Sequence, residues 1–158
     1  MLTVRVIEWK PIALRLGFIM SQVSESTEGS IDVIEECPEP PDVETEEDAV
    51  FTEPSFIYKF SSELHEWVGR GNGRLKILKH KETGHYRILL RQAKTYLVRL
   101  NHQIPTKGPV DLLPNSDREI AWLAYDSSCG RPHRDIFAAK FALPQTAESF
   151  KTFFNEGR

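Results

Sequence analysis

The sequence predicts a mainly β domain of antiparallel strands closed by one C-terminal helix. Three observations carry that expectation. Between Ser55 and Phe141 the apolar residues fall in runs of strand length separated by turn residues. No long helical pattern interrupts those runs, so consecutive strands are expected to pair as a meander. After Pro144 the period changes: Ala147, Phe150, Phe153 and Phe154 stand at i, i+3, i+6 and i+7, one apolar face of a helix.

Taken in order, Ser55–Phe60 reads as the first strand. Gly69-Arg70-Gly71-Asn72-Gly73 reads as a glycine-rich turn, because glycine permits positive φ. Leu75 to Lys79 forms the next strand, with Arg74, Lys76 and Lys79 placed on a face away from Leu75 and Ile77. Lys81-Glu82-Thr83-Gly84 is a turn, and Tyr86–Arg91 is the return strand. A second turn at Gln92–Lys94 leads into Thr95–Leu100, where Tyr96, Val98 and Leu100 alternate with Leu97 and Arg99. Ile120–Tyr125 and Ile136–Phe141 are further strands. Thr146 is the expected N-cap of the helix. A helix of ten residues or so spans about 15 Å, enough to cover one open end of a small barrel. Strands followed by one amphipathic helix is the order of elements in pleckstrin-homology-like domains.

The chain of 158 residues has room for one ordinary domain and a tail. No apolar run approaches the roughly 18 residues of a membrane span, so integral membrane association is not expected. Cys37 and Cys129 are too few for a disulfide scaffold, and a reducing compartment is the default. We divide the chain into an extension of unknown role over residues 1–20, an acidic disordered arm over 21–50, and the folded domain over 51–158. Met20 is a candidate start, which would leave residues 1–19 as an upstream extension. The formal net charge of -3 hides an asymmetry. Residues 21–54 carry twelve Asp and Glu and no Lys or Arg. Residues 55–158 carry seventeen Lys and Arg against ten Asp and Glu. Acidic, proline-containing sequence without an apolar period cannot offset its ordering entropy. A basic domain with an acidic arm points to an interaction protein.

The chemistry-bearing motifs point away from catalysis. A phosphate-cradling loop needs GxxxxGK[ST] between a strand and a helix, whereas Gly73 is followed by Arg74, Leu75 and a strand. There is no GxSxG and no HExxH. Cys129 lies in a Ser-Ser-Cys-Gly loop without a nearby base, which reads as an inert thiol. Five histidines (His65, His80, His85, His102 and His133) form no two convincing ligand pairs, so neither metal nor cofactor is expected. Trp67 is either a core or lid tryptophan or an exposed anchor, and its neighbour Arg70 favours the anchor. The strongest signal is basic: ten Lys and Arg lie between Arg70 and Lys107, opposed only by Glu82. An anionic partner follows. Nucleic acid is not expected, since no recognition helix or stacking platform is evident and the acidic arm would repel it. The arm argues for a protein partner with patches of both signs. The alternative is a module that docks phosphoinositide head groups.

Several stretches together resemble the Ran-binding domain of the Ran-binding protein 1 family. They are Glu66-Trp67-Val68-Gly69-Arg70-Gly71-Asn72-Gly73, Lys76-Ile77-Leu78-Lys79-His80-Lys81-Glu82-Thr83-Gly84, Arg87-Ile88-Leu89-Leu90-Arg91, Lys94-Thr95, Asn101-His102, Ser116-Asp117-Arg118, Ala121-Trp122 and Phe150-Lys151-Thr152. The acidic run Glu44–Asp48 before Phe51 resembles the family's lead-in. The resemblance implies a pleckstrin-homology-like barrel of about seven antiparallel strands capped by a C-terminal helix. It implies a monomeric, non-enzymatic protein that binds the GTP form of the small GTPase Ran. Such a protein assists Ran's GTPase-activating protein as Ran leaves transport receptors. It would be cytoplasmic, shuttling or at nuclear pores. Ran's acidic C-terminal tail would lie on the domain's basic surface. The implied contact residues are Trp67, Arg70, Gly71, Gly73, Lys76, Lys79, His80, Lys81, Arg91, Lys94 and Asn101, and the acidic arm would act through Glu44, Glu46, Glu47 and Asp48.

Overall fold

A computed structural model of the protein describes residues 44–158. The extension over 1–20 and arm residues 21–43 lie outside the described residues. Seven strands follow in sequence: β1 (Glu47–Ser61), β2 (Glu66–His80), β3 (Tyr86–Gln92), β4 (Val98–Gln103), β5 (Val110–Leu112), β6 (Glu119–Asp126) and β7 (His133–Lys140). Helix α1 spans Pro144–Glu156. All pairings are antiparallel, in the sheet order β4-β3-β2-β1-β7-β6-β5. The expected meander with a closing helix is present.

β1 joins the two halves of the sheet. It pairs with β2 from Glu47 to Ser61 and with β7 through Phe56–Lys59. Its register against β2 shifts between Ala49 and Phe51 and between Ile57 and Tyr58. Such irregularities bend and twist a strand, which lets one long strand serve both halves of a rolled sheet. The sheet's two end strands are β4 and β5, and β4 is tied across to the end of β6. The Asn101 amide donates to Asp126 Oδ1 at 2.7 Å, and the Ser127 amide donates to the Asn101 carbonyl at 2.9 Å.

Period two places Ile57, Leu75, Ile77, Ile88, Leu90, Leu100, Ile120, Trp122, Phe137 and Ala139 in one core. Helix α1 closes it with Ala147, Phe150 and Phe154. Phe150 meets Trp122 at 5.2 Å and Phe51 at 5.5 Å between ring centroids. Within the core, Trp122 Nε1–H donates to His102 Nε2 at 3.1 Å. His102 therefore carries its proton on Nδ1, 2.9 Å from the Gln103 carbonyl.

Four expectations are corrected. Gly69–Gly73 is not a turn but part of β2. Its glycines are required by proximity as well as by conformation: Gly71 has φ 145°, and a Cβ on Gly73 would lie 2.0 Å from the Arg91 carbonyl oxygen. Residues 95–97 are not strand: a turn over 93–95 runs into irregular 96–97, because Lys94 and Tyr96 take φ of 70° and 58° and the Tyr96 amide returns to the Gln92 carbonyl at 2.9 Å. The apparent alternation there was misleading, since Leu97 is exposed. The helix starts at Pro144 with extended Leu143 as its N-cap and no side-chain cap, so Thr146 is already inside it. Residues 47–50 belong to β1 rather than to a disordered arm.

Two outcomes follow from the packing. Burial lowers the His102 pKa, so below about pH 6.5 the unfolded chain binds a proton that the folded core refuses. Stability should therefore fall as the pH drops below about 7, and chemical denaturation of His102→Gln should show a shallower fall. Gly73→Ala should push β2 from β3 and cost about 1–3 kcal/mol in the same measurement.

Candidate protein-binding surface

Leu75 and Ile77 point into the core, so Arg74 and Lys76 point outward from β2. On β3 the same alternation turns Arg87 and Arg91 outward around Ile88 and Leu90. The register sets Arg74 directly opposite Arg91. The result is a cationic face on the β2–β3 hairpin. Leu78 and Leu89 share that face and are buried.

The acidic residues ahead of β1 and at its start pack onto that face. Glu44 bridges two cations, with Oε2 3.1 Å from Lys76 Nζ and Oε1 3.4 Å from Arg91 Nε. Glu47 forks Arg87 at 2.7 Å and 2.5 Å, and Arg87 also donates to Asn101 Oδ1 at 3.0 Å. The hydrogen bond to Glu47 raises the Arg87 pKa further. Lys81 donates to the Thr45 carbonyl at 2.9 Å and lies 3.7 Å from Asp48. His80 Nδ1 accepts from the Glu82 and Thr83 amides at 3.2 Å each, which turns its Nε2 toward Glu46 at 3.7 Å.

The residues expected to form one surface are thus divided. Lys76, Arg91, His80 and Lys81 line it and are engaged by the chain's own Glu44, Glu46 and Asp48. Arg74 and Lys94 have no ion-pair partner among the described residues, and both are exposed. Lys79 does not share the face of Arg74 and Lys76. By period two it falls on the side of Leu75 and Ile77, and its ammonium lies 5.5 Å over the Tyr86 ring. Arg87 and Arg74 were not singled out as contact residues, although the stretch 70–107 contained them. The missing signal was cross-strand register, which sets the hairpin's neighbours.

Arg70 and the backbone amide of Asn101 serve a different centre, while the Asn101 side chain stays with Arg87. Arg70 Nε–H donates to the Arg99 carbonyl at 2.5 Å, and its Nη2 donates to Ser128 Oγ at 2.6 Å and lies 3.5 Å from Asp126 Oδ2. Ser128 in turn donates to Asp126, which is only 4% exposed. This cluster ties β2, β4 and the end of β6 together. Arg70 also reaches Cys129 Sγ and holds that exposed thiol below its ordinary pKa.

Trp67 is not an exposed anchor. It is 4% exposed, packed with Leu113, Ala121 and Ala138, with Phe60 at 5.6 Å. The exposed members of that region are Val68 and Phe56, the latter 4.8 Å from Tyr58. Gly71 and Gly73 lie in β2 and act through backbone approach rather than through side chains. Among the described residues no group of His, Cys, Asp and Glu could hold a metal ion, and no helix is long and apolar enough to cross a membrane.

Asp126→Ala should strand the Asn101 amide and Arg70 in a closed site. We expect a loss of about 1–3 kcal/mol in urea unfolding, against less than about 0.5 kcal/mol for exposed Arg74→Ala.

The sheet and its helix form a pleckstrin-homology-like fold, and solved structures agree. The Ran-binding domain of the nuclear complex component Nup2 from Ashbya gossypii superposes with a TM-score of 0.61 at 20% identity, covering 71% of this chain and 95% of that one. In sequence, the Ran-binding protein 1 homolog c of Arabidopsis thaliana is 36% identical over 113 residues, which is 72% of this chain and 52% of the relative. The human E3 SUMO-protein ligase RanBP2 is 38% identical over 113 residues, 72% of this chain and 4% of that protein. The chain thus spans about half the length of the first of these relatives and a small part of the second. The family model described as the RanBP1 domain matches residues 41–158. The match takes in the whole described sheet, its helix and the acidic turn ahead of β1: the chain belongs to the RanBP1 domain family.

Proposed function

We propose that this chain is a binding module for the small GTPase Ran in its GTP form, not an enzyme. Membership of the RanBP1 domain family over residues 41–158 carries the reading. The division of charge supports it. A cationic β2–β3 face suits an acidic tail on the partner, and the acidic segment before β1 suits a basic patch. A ligand shifts a conformational balance only through differential affinity, and a tail released in one nucleotide state supplies that difference. Through this capture the module would assist Ran's GTPase-activating protein on Ran leaving transport receptors, in the cytoplasm or at nuclear pores. Lys76, Arg91 and Lys94 are the contacts we assign to the tail, with Arg74 added on the strength of its exposure and its place opposite Arg91. Complementary charge speeds association, and salt weakens it.

The test is a titration of this protein against Ran loaded with a non-hydrolysable GTP analogue and against Ran loaded with GDP, at two salt concentrations. We expect tight, salt-sensitive binding of the GTP form alone. Arg74→Glu combined with Lys94→Glu should weaken it at least about tenfold, chiefly by slowing association. Equal binding of both nucleotide states would sink the assignment. Sedimentation with phosphoinositide liposomes would then decide whether a lipid head group takes the surface instead.

A further inference from the structure

The β2–β3 face presents an electrostatic problem that the described chain only half solves. Arg74 and Arg91 stand directly opposite one another in the register, on the same outer face. Like charges in that position destabilise a sheet unless an anion lies between or beside them. Glu44 serves Arg91 and Lys76 with one carboxylate, and Arg74 has no acidic partner among the described residues. Lys94 adds another exposed cation at the turn after β3. Among the described residues, Arg74 and Lys94 are therefore the cations of this face left without an acidic partner.

The two anchoring glutamates are not held equally. Glu47 lies within β1, in register with His80, and grips Arg87 through a two-point fork. Glu44 lies ahead of the strand. Its carboxylate makes two single contacts, at 3.1 Å and 3.4 Å, and its backbone is tied forward by the Glu47 amide donating to the Glu44 carbonyl at 3.2 Å. Releasing Glu44 opens one turn and leaves the β1–β2 ladder and the Glu47 fork in place.

We infer that Glu44 is a built-in occupant of an acidic-peptide site on the β2–β3 face, and that a partner's acidic segment docks by displacing it from Lys76 and Arg91 while gaining Arg74. This deepens the function proposed above and rests on it only for the identity of the partner. The exchange keeps the cations partly neutralised in the free protein. It also selects for partners with two or more adjacent carboxylates, because a single one merely replaces Glu44. The acidic turn, once released, is free to meet a basic patch on the same partner.

The probe is a fluorescein-labelled penta-aspartate peptide, titrated into the full chain and followed by anisotropy. Three proteins are compared: the unaltered chain, Glu44→Gln and Arg74→Gln. Thermal unfolding of each shows whether the fold persists. Removing the competitor should tighten peptide binding by about two- to fivefold, the scale of one partly exposed ion pair. Arg74→Gln should weaken it by a similar factor. Independently of any substitution, saturating peptide should speed hydrogen exchange at the Glu47 amide as the turn opens. Unchanged or weaker binding by Glu44→Gln, or unchanged protection at Glu47 with peptide bound, would overturn the exchange. So would failure of the unaltered chain to bind the peptide at all. If that failure occurs while Ran in its GTP form still binds, the proposed function stands and only the exchange falls. If the peptide exchanges but Ran shows no nucleotide preference, the site stands and the GTPase reading falls.

Discussion

Asp126 holds the rolled sheet where β4 meets the end of β6. An antiparallel sheet of this order leaves β4 and β5 as edges with unpaired backbone groups. One carboxylate at the end of β6 takes the Asn101 amide of β4, the Ser128 hydroxyl and the approach of Arg70 from β2. It sits 4% exposed, so its charge is shielded from water and must be matched by donors on every side. Three strands distant in sequence are thereby brought to one point. The same closure leaves the outward side of β2 and β3 as a continuous face.

On that face the physics is different. The charges are partly exposed, the contacts are single or forked ion pairs, and water competes for each of them. Glu47 lies within a strand and adds little conformational freedom to be lost, whereas Glu44 is held by its side chain and one turn hydrogen bond. The acidic segment at the start of the described chain is therefore a partner of the cationic hairpin within the domain itself. Charge of both signs on one module gives orientation: each patch rejects the wrong end of a partner as firmly as it attracts the right one.

The aromatic residues divide along similar lines. Trp122, Phe137, Phe150 and Phe154 are buried where α1 closes the barrel, and Trp122 finds in His102 the acceptor its indole N–H needs. Trp67 has no such partner for its Nε1 among the described residues, although it is just as enclosed. Phe60 and the small residues Ala121 and Ala138 surround it, which makes it a packing element of the sheet's outer side. Its neighbour Arg70 belongs to the Asp126 seam. Residues three apart on one strand therefore serve separate structural tasks, because alternate side chains of a strand face opposite ways.

The sequence by itself determined the class of fold, the closing helix, most of the strand positions and the separation of acidic from basic segments. Those properties are local: they follow from period, turn residues and charge counted along the chain. Where local signals conflicted, the tertiary structure decided. The glycine run 69–73 became strand because β3 approaches too closely for a Cβ at Gly73. Tyr96 and Leu97 stay out of the strand because the Gln92 backbone holds them from both sides. Only the tertiary structure could show that Arg70 and Asn101 meet at Asp126, that Lys79 lies over Tyr86, and that Glu44 reaches Lys76 and Arg91. These pairings join residues 7 to 56 positions apart, and register and closure rather than composition bring them together.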